Sequence, residues 1–168
     1  MTLELPPRLQ AQLPDQRLVL CSQCRPDLGL PGRKVLVGDG PQRHELERLY
    51  PDAVFAGLKE KEDLARAYSS ADVFVFPSLT ETFGLVLIEA LASGLPVAAY
   101  PVSGPTDVLT DPRAGVLSND LEQAALRALS LDSKAARSHA RTFSWKNSAR
   151  QFLENALAAR NLAASKAG

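Results

Sequence analysis

Glu81 and Glu89 flank a loop-to-helix junction with seven residues between them, and Gly84 lies where the helix should begin. A helix N-terminus leaves its first backbone N–H groups without intrahelical acceptors. A glycine there puts no side chain over them, so an anion, normally a phosphate, can seat on them. A carboxylate on either side can accept hydrogen bonds from sugar hydroxyls. Five residues of helix from Gly84 to Glu89 span roughly 7–8 Å at 1.5 Å per residue. The arrangement suits a sugar–phosphate compound held along its length. The plain alternative is a solvated loop carboxylate and a solvated helix-face carboxylate. Leu87, Ile88, Ala90 and Leu91 around Glu89 argue against it, because a glutamate in apolar surroundings needs a partner. A glycosidase also uses two carboxylates, but those must flank one bond, whereas these flank a phosphate-sized gap.

The elements that would position this pair are legible from Lys34 onward. Lys34 to Val37 reads as a strand, followed by the turn Gly38-Asp39-Gly40-Pro41. Gln42 to Tyr50 reads as a helix with Leu46 and Leu49 inward, and Ala53 to Phe55 as a strand closed by Gly57. Lys61 to Ser70 has Leu64, Ala67 and Tyr68 on one helical face. Asp72 to Phe76 contains Val73-Phe74-Val75-Phe76 without alternation, which predicts a strand buried on both faces. Leu85 to Ser93 is a helix, Pro96 to Tyr100 a strand and Gly115 to Leu117 a last short strand. Asn119 or Asp120, then Asp132 or Ser133, then Ser144 open three C-terminal helices, the last running from Trp145 to about Leu162. Trp145 is expected to anchor that helix in the core. Alternation of this kind predicts an α/β fold: a Rossmann-like parallel sheet with helices on both faces. The loops Gly38-Asp39-Gly40, Gly57-Leu58-Lys59, Ser78 to Gly84 and Pro101 to Thr106 all follow strands. They therefore share the edge where ligands bind in such sheets. Asp39 is a ligand-loop residue or simply a turn residue, and Asp107 a ligand-loop residue or a cap.

With 168 residues, there is one core's worth of chain. Zero net charge argues against nucleic acid as partner. From Leu121 onward eight basic residues face three acidic ones, so this last third is net +5 and the rest net −5. A solvated helix face is the simpler account, and an anionic membrane surface the other. No run of about 18 apolar residues occurs, and the first sixteen residues hold Pro6, Pro7 and Pro14 but no apolar stretch of signal-peptide type. A cytoplasmic location is expected, with peripheral attachment at the inner membrane as the further option. Cys21 and Cys24 make a single C-x-x-C followed by Pro26, Gly29 and Pro31, through which no helix can run. A zinc site needs four ligands and a second pair is missing. Two ordinary thiols are expected, with no metal and no cofactor.

Val35-Leu36-Val37-Gly38-Asp39-Gly40-Pro41, Ala71-Asp72-Val73-Phe74-Val75-Phe76-Pro77-Ser78, the Glu81–Glu89 pair with Thr82-Phe83-Gly84, and Glu89-Ala90-Leu91-Ala92-Ser93-Gly94-Leu95-Pro96-Val97 together resemble the retaining glycosyltransferases of family 4. The resemblance covers about residues 30–162 and implies the C-terminal half of a two-domain GT-B fold. Ala98 to Pro105 and Phe143-Ser144-Trp145 are most similar to a bacterial mannosyltransferase subgroup that works on lipid acceptors. The resemblance implies a hexosyltransferase that is retaining and metal-independent. It would take a nucleotide-sugar donor, GDP-mannose or a UDP-sugar, and a lipid or glycan acceptor. By position Glu81 would be the catalytic residue that holds hydroxyls of the transferred sugar. Phe83, Gly84 and Leu85 would present N–H groups to sugar and diphosphate, and Glu89 would bind ribose. Gly38, Asp39 and Gly40 would line the donor, with Gly57 and Leu58 near the base.

Two departures accompany the resemblance. The family's Arg and Lys that grip the diphosphate have no match in Arg17 to Asp27, where Cys-Ser-Gln-Cys-Arg-Pro stands instead, and Arg25 and Arg33 do not fit in context. The N-terminal acceptor-binding domain is missing. The chain divides into an atypical segment, 1–33, and a nucleotide-sugar-binding Rossmann-like domain with C-terminal helices, 34–168. Leu18 to Leu20 in the atypical segment are expected to leave one sheet edge poorly formed. An inactive nucleotide-sugar-binding remnant is the alternative function. A nucleotide-sugar epimerase ranks lower, because no histidine lies in these loops.

Overall fold

A computed structural model describes residues 18–21, 29–30 and 32–166. Residues 22–27 of the segment expected to replace the diphosphate grip, Cys24 and Arg25 among them, lie outside the described residues, as do the first seventeen. Six strands are described: β1 Leu18–Cys21, β2 Arg33–Val37, β3 Val54–Gly57, β4 Val73–Phe76, β5 Val97–Ala99 and β6 Gly115–Leu117. They form one all-parallel sheet in the order β3-β2-β1-β4-β5-β6. The helices are α1 Arg43–Leu49, α2 Lys61–Ser70, α3 Leu85–Ala92, α4 Ser103–Val108, α5 Leu121–Ala128, α6 Ser133–Ala140 and α7 Trp145–Lys166.

Alternate residues of each strand enter two separate cores, so the apolar run of β4 is buried on both sides as expected. Phe74 and Phe76 pack with Leu20, Tyr68, Leu87, Leu91 and Leu95 on the face covered by α2, α3 and α6. Val73 and Val75 pack with Val19, Cys21, Leu121, Ala124 and Ala128 on the face covered by α5. The small residues of α5 let its axis come close to the sheet. Asp120 and Asp132 cap α5 and α6 by accepting from Gln123 N (3.0 Å) and Lys134 N (2.9 Å), which leaves fewer orphan amides at each start. Ser144 Oγ does the same for α7, accepting from Asn147 N at 3.2 Å.

Four expectations change. Leu18 to Leu20 are not at an edge: β1 sits between β2 and β4, with Val19 opposite Val73 and Leu20 opposite Phe74. Its apolar residues are what a strand covered on both faces and both edges requires. Pro101 to Thr106 is not all loop, because α4 starts at Ser103. Pro105 is accommodated there since first-turn residues have no intrahelical acceptor to lose. Leu49 is half exposed and α1 buries no residue fully, as this short helix lies at the rim of the sheet. Trp145 is 92 % exposed rather than a core anchor. Phe143, two residues earlier, packs on the core instead, its ring edge-on to His139 at 5.4 Å. Beyond it α7 exposes Phe152, Leu153 and Leu157 as well.

The central position of β1 carries a stability prediction. Leu20 is 2 % exposed, so Leu20→Ala should lower unfolding free energy by about 2–5 kcal/mol in urea denaturation, as truncation in a packed core does. A loss within about 0.5 kcal/mol, the range of surface changes, would contradict the strand order.

Candidate functional site

All six strands are parallel, so the loops after β2, β3, β4 and β5 emerge on one edge. From β1 the chain works outward to β2 and β3; from β4 it works the other way to β5 and β6. The order of connection therefore reverses between β1 and β4, and a crevice opens there in sheets of this type. The loop after β4, residues 77–84, carries Glu81 to that crevice.

This loop is closed by its own carboxylate. Glu81 Oε1 accepts from the backbone N–H groups of Thr82 (2.9 Å), Phe83 (3.2 Å) and Gly84 (3.2 Å). Three converging amides make an anion nest, and Glu81 supplies the anion. Gly84 is the N-terminal cap of α3 with φ 83°, a left-handed conformation that favours glycine, and its carbonyl accepts from Leu87 N at 2.9 Å. Two of the three amides expected to face a ligand, those of Phe83 and Gly84, are thus engaged by Glu81. The N–H of Leu85, in the first turn of α3, has no intrahelical acceptor. Gly104 of α4 supports the loop from below. Its N–H donates to Glu81 O at 3.3 Å, and a Cβ there would lie 2.9 Å from Glu81 Cγ and 3.1 Å from the Phe83 carbonyl. Gly104 is buried, and sequence reasoning placed it in a loop without a role. The Ser-Gly-Pro run looked like a turn, and only the packing reveals the contact.

Glu89 lies one turn into α3 on its exposed side, while Leu87, Ala90 and Leu91 form the buried side. The expectation that apolar neighbours would enclose its carboxylate is corrected: Glu89 is exposed, and Val86 and Ile88 are only half-buried. A partner exists nonetheless. Tyr68 Oη lies 3.4 Å from Glu89 Oε2. Burial, then the charge of Glu89, then this hydrogen bond, push the Tyr68 hydroxyl well above the ordinary phenol range, so it stays protonated and donates.

The loops after β2 and β3 are tied together by Gly38 N donating to Gly57 O at 3.0 Å. Both glycines have positive φ, 132° and 71°. A Cβ at Gly38 or Gly40 would meet nothing within 4 Å, so this part of the edge is open. Asp39 acts as a turn residue: its Oδ1 accepts from Gly40 N at 2.8 Å. Arg43, which sequence reasoning did not single out, brings a cation here. Its Nη1 is 3.7 Å from Asp39 Oδ2 and its Nε donates to Glu47 Oε1 at 2.8 Å; the i, i+4 spacing on both sides was the available signal. Leu58, Leu79, Phe83 and Leu85 are all exposed on these strand-following loops and the helix start beside them. Asp107 is an exposed residue of α4. Among the described residues no group of three or more His, Cys, Asp or Glu could hold a metal ion.

The carboxylate nest predicts that Glu81→Ala exposes three amides at once. Hydrogen exchange at Thr82, Phe83 and Gly84 should quicken by about tenfold or more, the equivalent of losing charge-assisted bonds. Glu81→Gln, which keeps an acceptor oxygen at the same reach, should preserve part of the protection. Equal exchange in all three proteins would show the nest to be unimportant for the loop.

Comparison with known proteins agrees with this geometry. The family described as Glycosyl transferases group 1 matches residues 18–131, from β1 through α5. The sulfoquinovosyl transferase of Arabidopsis thaliana is 39 % identical over 130 residues, covering 68 % of this chain and 26 % of that protein. A GDP-mannose-dependent alpha-mannosyltransferase of Mycobacterium tuberculosis is 51 % identical over 85 residues, covering 51 % of this chain and 22 % of its own length. The solved sucrose-phosphate synthase of Thermosynechococcus elongatus superposes with a TM-score of 0.68 at 29 % identity, over 94 % of this chain and 48 % of that one. The chain thus spans about a quarter of these curated relatives. Its six-stranded parallel sheet is that of the GT-B glycosyltransferases, and the chain belongs to the group 1 glycosyltransferase family.

Proposed function

We propose that this chain is the donor-binding half of a retaining, metal-independent hexosyltransferase that uses GDP-mannose or a UDP-sugar. The acceptor would be a lipid or glycan, held by a second domain. The observation that carries this reading is the Glu81–Gly84 loop, which sits at the crevice between β1 and β4 and opens directly into α3. In this reading Glu81 keeps Oε1 on the loop amides and offers Oε2 to hydroxyls of the transferred sugar. The first turn of α3, at Leu85, favours the diphosphate through its unpaired N–H groups and helix dipole. Glu89 lies farther along the same helix and takes the ribose hydroxyls. Gly38 and Gly40 leave open backbone beside the donor, Asp39 shapes their turn, and Gly57 and Leu58 lie toward the base. The exposed Phe83 and Leu85 side chains give an apolar wall of the kind that lines small-molecule sites. Residues 34–168, together with β1, form the nucleotide-sugar-binding unit. A peripheral place at the inner membrane fits a lipid acceptor and the basic last third. No helix among the described residues is long and apolar enough to cross a membrane.

A second reading, a nucleotide-sugar-binding remnant without activity of its own, draws on the lack of a match for the family's Arg and Lys in Arg17 to Asp27. Sugar transfer from GDP-mannose and UDP-glucose, measured beside nucleotide binding, separates the two. Binding comes first: a panel of nucleoside diphosphates read by thermal shift should single out one base, since a bound ligand stabilises the fold in proportion to RT ln(1 + [L]/Kd).

Two outcomes are expected. Glu89→Ala should weaken binding of the nucleoside diphosphate by about 1.5–3 kcal/mol, or roughly ten- to 150-fold, the size of a hydrogen bond to a charged group. Glu81→Ala should spare the diphosphate and weaken only the nucleotide sugar, so equal losses on plain diphosphate would sink the assignment. The isolated chain should transfer sugar far more slowly than about 10 per second, a median enzyme rate. Positioning of the acceptor can supply roughly 7–11 kcal/mol of a barrier, and that belongs to the second domain. Turnover near the median rate would overturn the division of labour.

A further inference from the structure

We infer that Tyr68 of α2 is a positioning residue that sets the orientation of the Glu89 carboxylate for a ribose diol. This rests on the donor-binding reading above and adds to it a residue to which that reading gives no role. Tyr68 is 4 % exposed and is held by its ring, which meets Phe74 edge-on at 5.5 Å and 83°. Phe74 in turn lies in β4, in register with Leu20 and Val97. The ring is therefore fixed to the centre of the sheet, and the direction of its hydroxyl is set by the core. That hydroxyl points to Glu89 Oε2 at 3.4 Å. Glu89, by contrast, is an exposed side chain on the outer side of α3. Without a contact its three side-chain torsions would sample many rotamers, and freezing them on binding would cost affinity.

The chemistry of the partner matters. An arginine at this place would take both carboxylate oxygens, and either arginine or lysine would offset the charge. A neutral phenol donates one hydrogen bond to one oxygen. Oε1 and the second lone pair of Oε2 remain for two hydroxyls, the number a ribose presents at adjacent carbons. The raised pKa of Tyr68 keeps it a donor across the working pH range.

The simpler role for the contact is to satisfy a buried hydroxyl, and the test separates the two. Binding of GDP and UDP is compared with binding of their 2′,3′-dideoxy forms by calorimetry, for the parent chain, Tyr68→Phe, Glu89→Gln and the double variant. Phenylalanine keeps the ring against Phe74, and thermal melting reports the fold of each variant directly. The parent should prefer the ribose form of whichever base it binds by about tenfold or more, the scale of a charge-assisted hydrogen bond. Tyr68→Phe should bind the ribose form about three- to tenfold more weakly relative to the dideoxy form, while melting close to the parent. Added to Glu89→Gln it should have almost no further effect on that ratio, because it acts through Glu89. A ribose preference untouched by Tyr68→Phe, or additive losses in the double variant, would overturn the inference. No ribose preference in the parent would instead overturn the assignment of Glu89 on which it rests. Should Tyr68→Phe melt far below the parent, the hydroxyl is structural and the inference fails.

Discussion

The pairing of β1 with β4 is the constraint on which the rest of this molecule depends. Val19, Leu20 and Cys21 meet Val73, Phe74 and Val75 in parallel register, and that one ladder joins the two halves of the sheet. It also creates the crevice. From β4 the strand order runs to β5 and β6 and from β1 to β2 and β3, so the two sides of the sheet diverge at this ladder. The space between them is then filled by whatever the first few residues after β4 carry. Here those residues include Glu81, and the backbone after it turns sharply through Gly84 into α3. The location of the candidate site follows from topology before any side chain is considered.

Within the site one conflict governs the chemistry. Backbone amides at a helix start attract an anion, and a glutamate three residues earlier reaches back to occupy the same amides. The sequence pattern had both features but could not tell which would satisfy the other. In the fold the near carboxylate wins, because it is covalently tethered and held from below by Gly104. One oxygen of Glu81 is thereby held by the loop, which leaves the other for the role proposed above. The left-handed φ of Gly84 turns the chain out of this loop and into α3.

Most of the architecture was legible because two physical signals were strong. Val73 to Phe76 carries no alternation and could only be a strand covered on both faces; Lys61 to Ser70 has a clear helical stripe, and its bounds match α2. Caps at Asp120, Asp132 and Ser144 were readable for the same reason, a short polar side chain ahead of an apolar-periodic run. What was missed depended on packing between distant segments. α4 hides in Ser-Gly-Pro, residues that signal a turn locally but suit a first helical turn. Trp145 looked like core on hydrophobicity alone, whereas Phe143 takes that place at the end of α6. Leu18 to Leu20 looked marginal because the residues around them are rich in proline, and only strand order shows them to be central. In the site, the glycines and Glu81 were visible from spacing. The exposure of Glu89, its contact with Tyr68 and the support from Gly104 were not, because each joins elements far apart in sequence.

The central place of β1 has a consequence for how the chain reaches this structure. β1 is made before the other described strands, yet one of its two neighbours is β4, made only after β2, α1, β3 and α2. Every other ladder in the sheet also joins parallel strands through a crossover, so no local hairpin can seed it, and folding of such non-local topology is slow. A nascent chain that has emerged only as far as α2 can assemble β1, β2 and β3 but leaves one long side of β1 bare, an apolar strand edge of the sort that pairs with other chains. Between synthesis of Cys21 and of Val75 this edge of β1 is open to misassembly, and β4, the strand that completes the crevice, is also the one that ends that exposure.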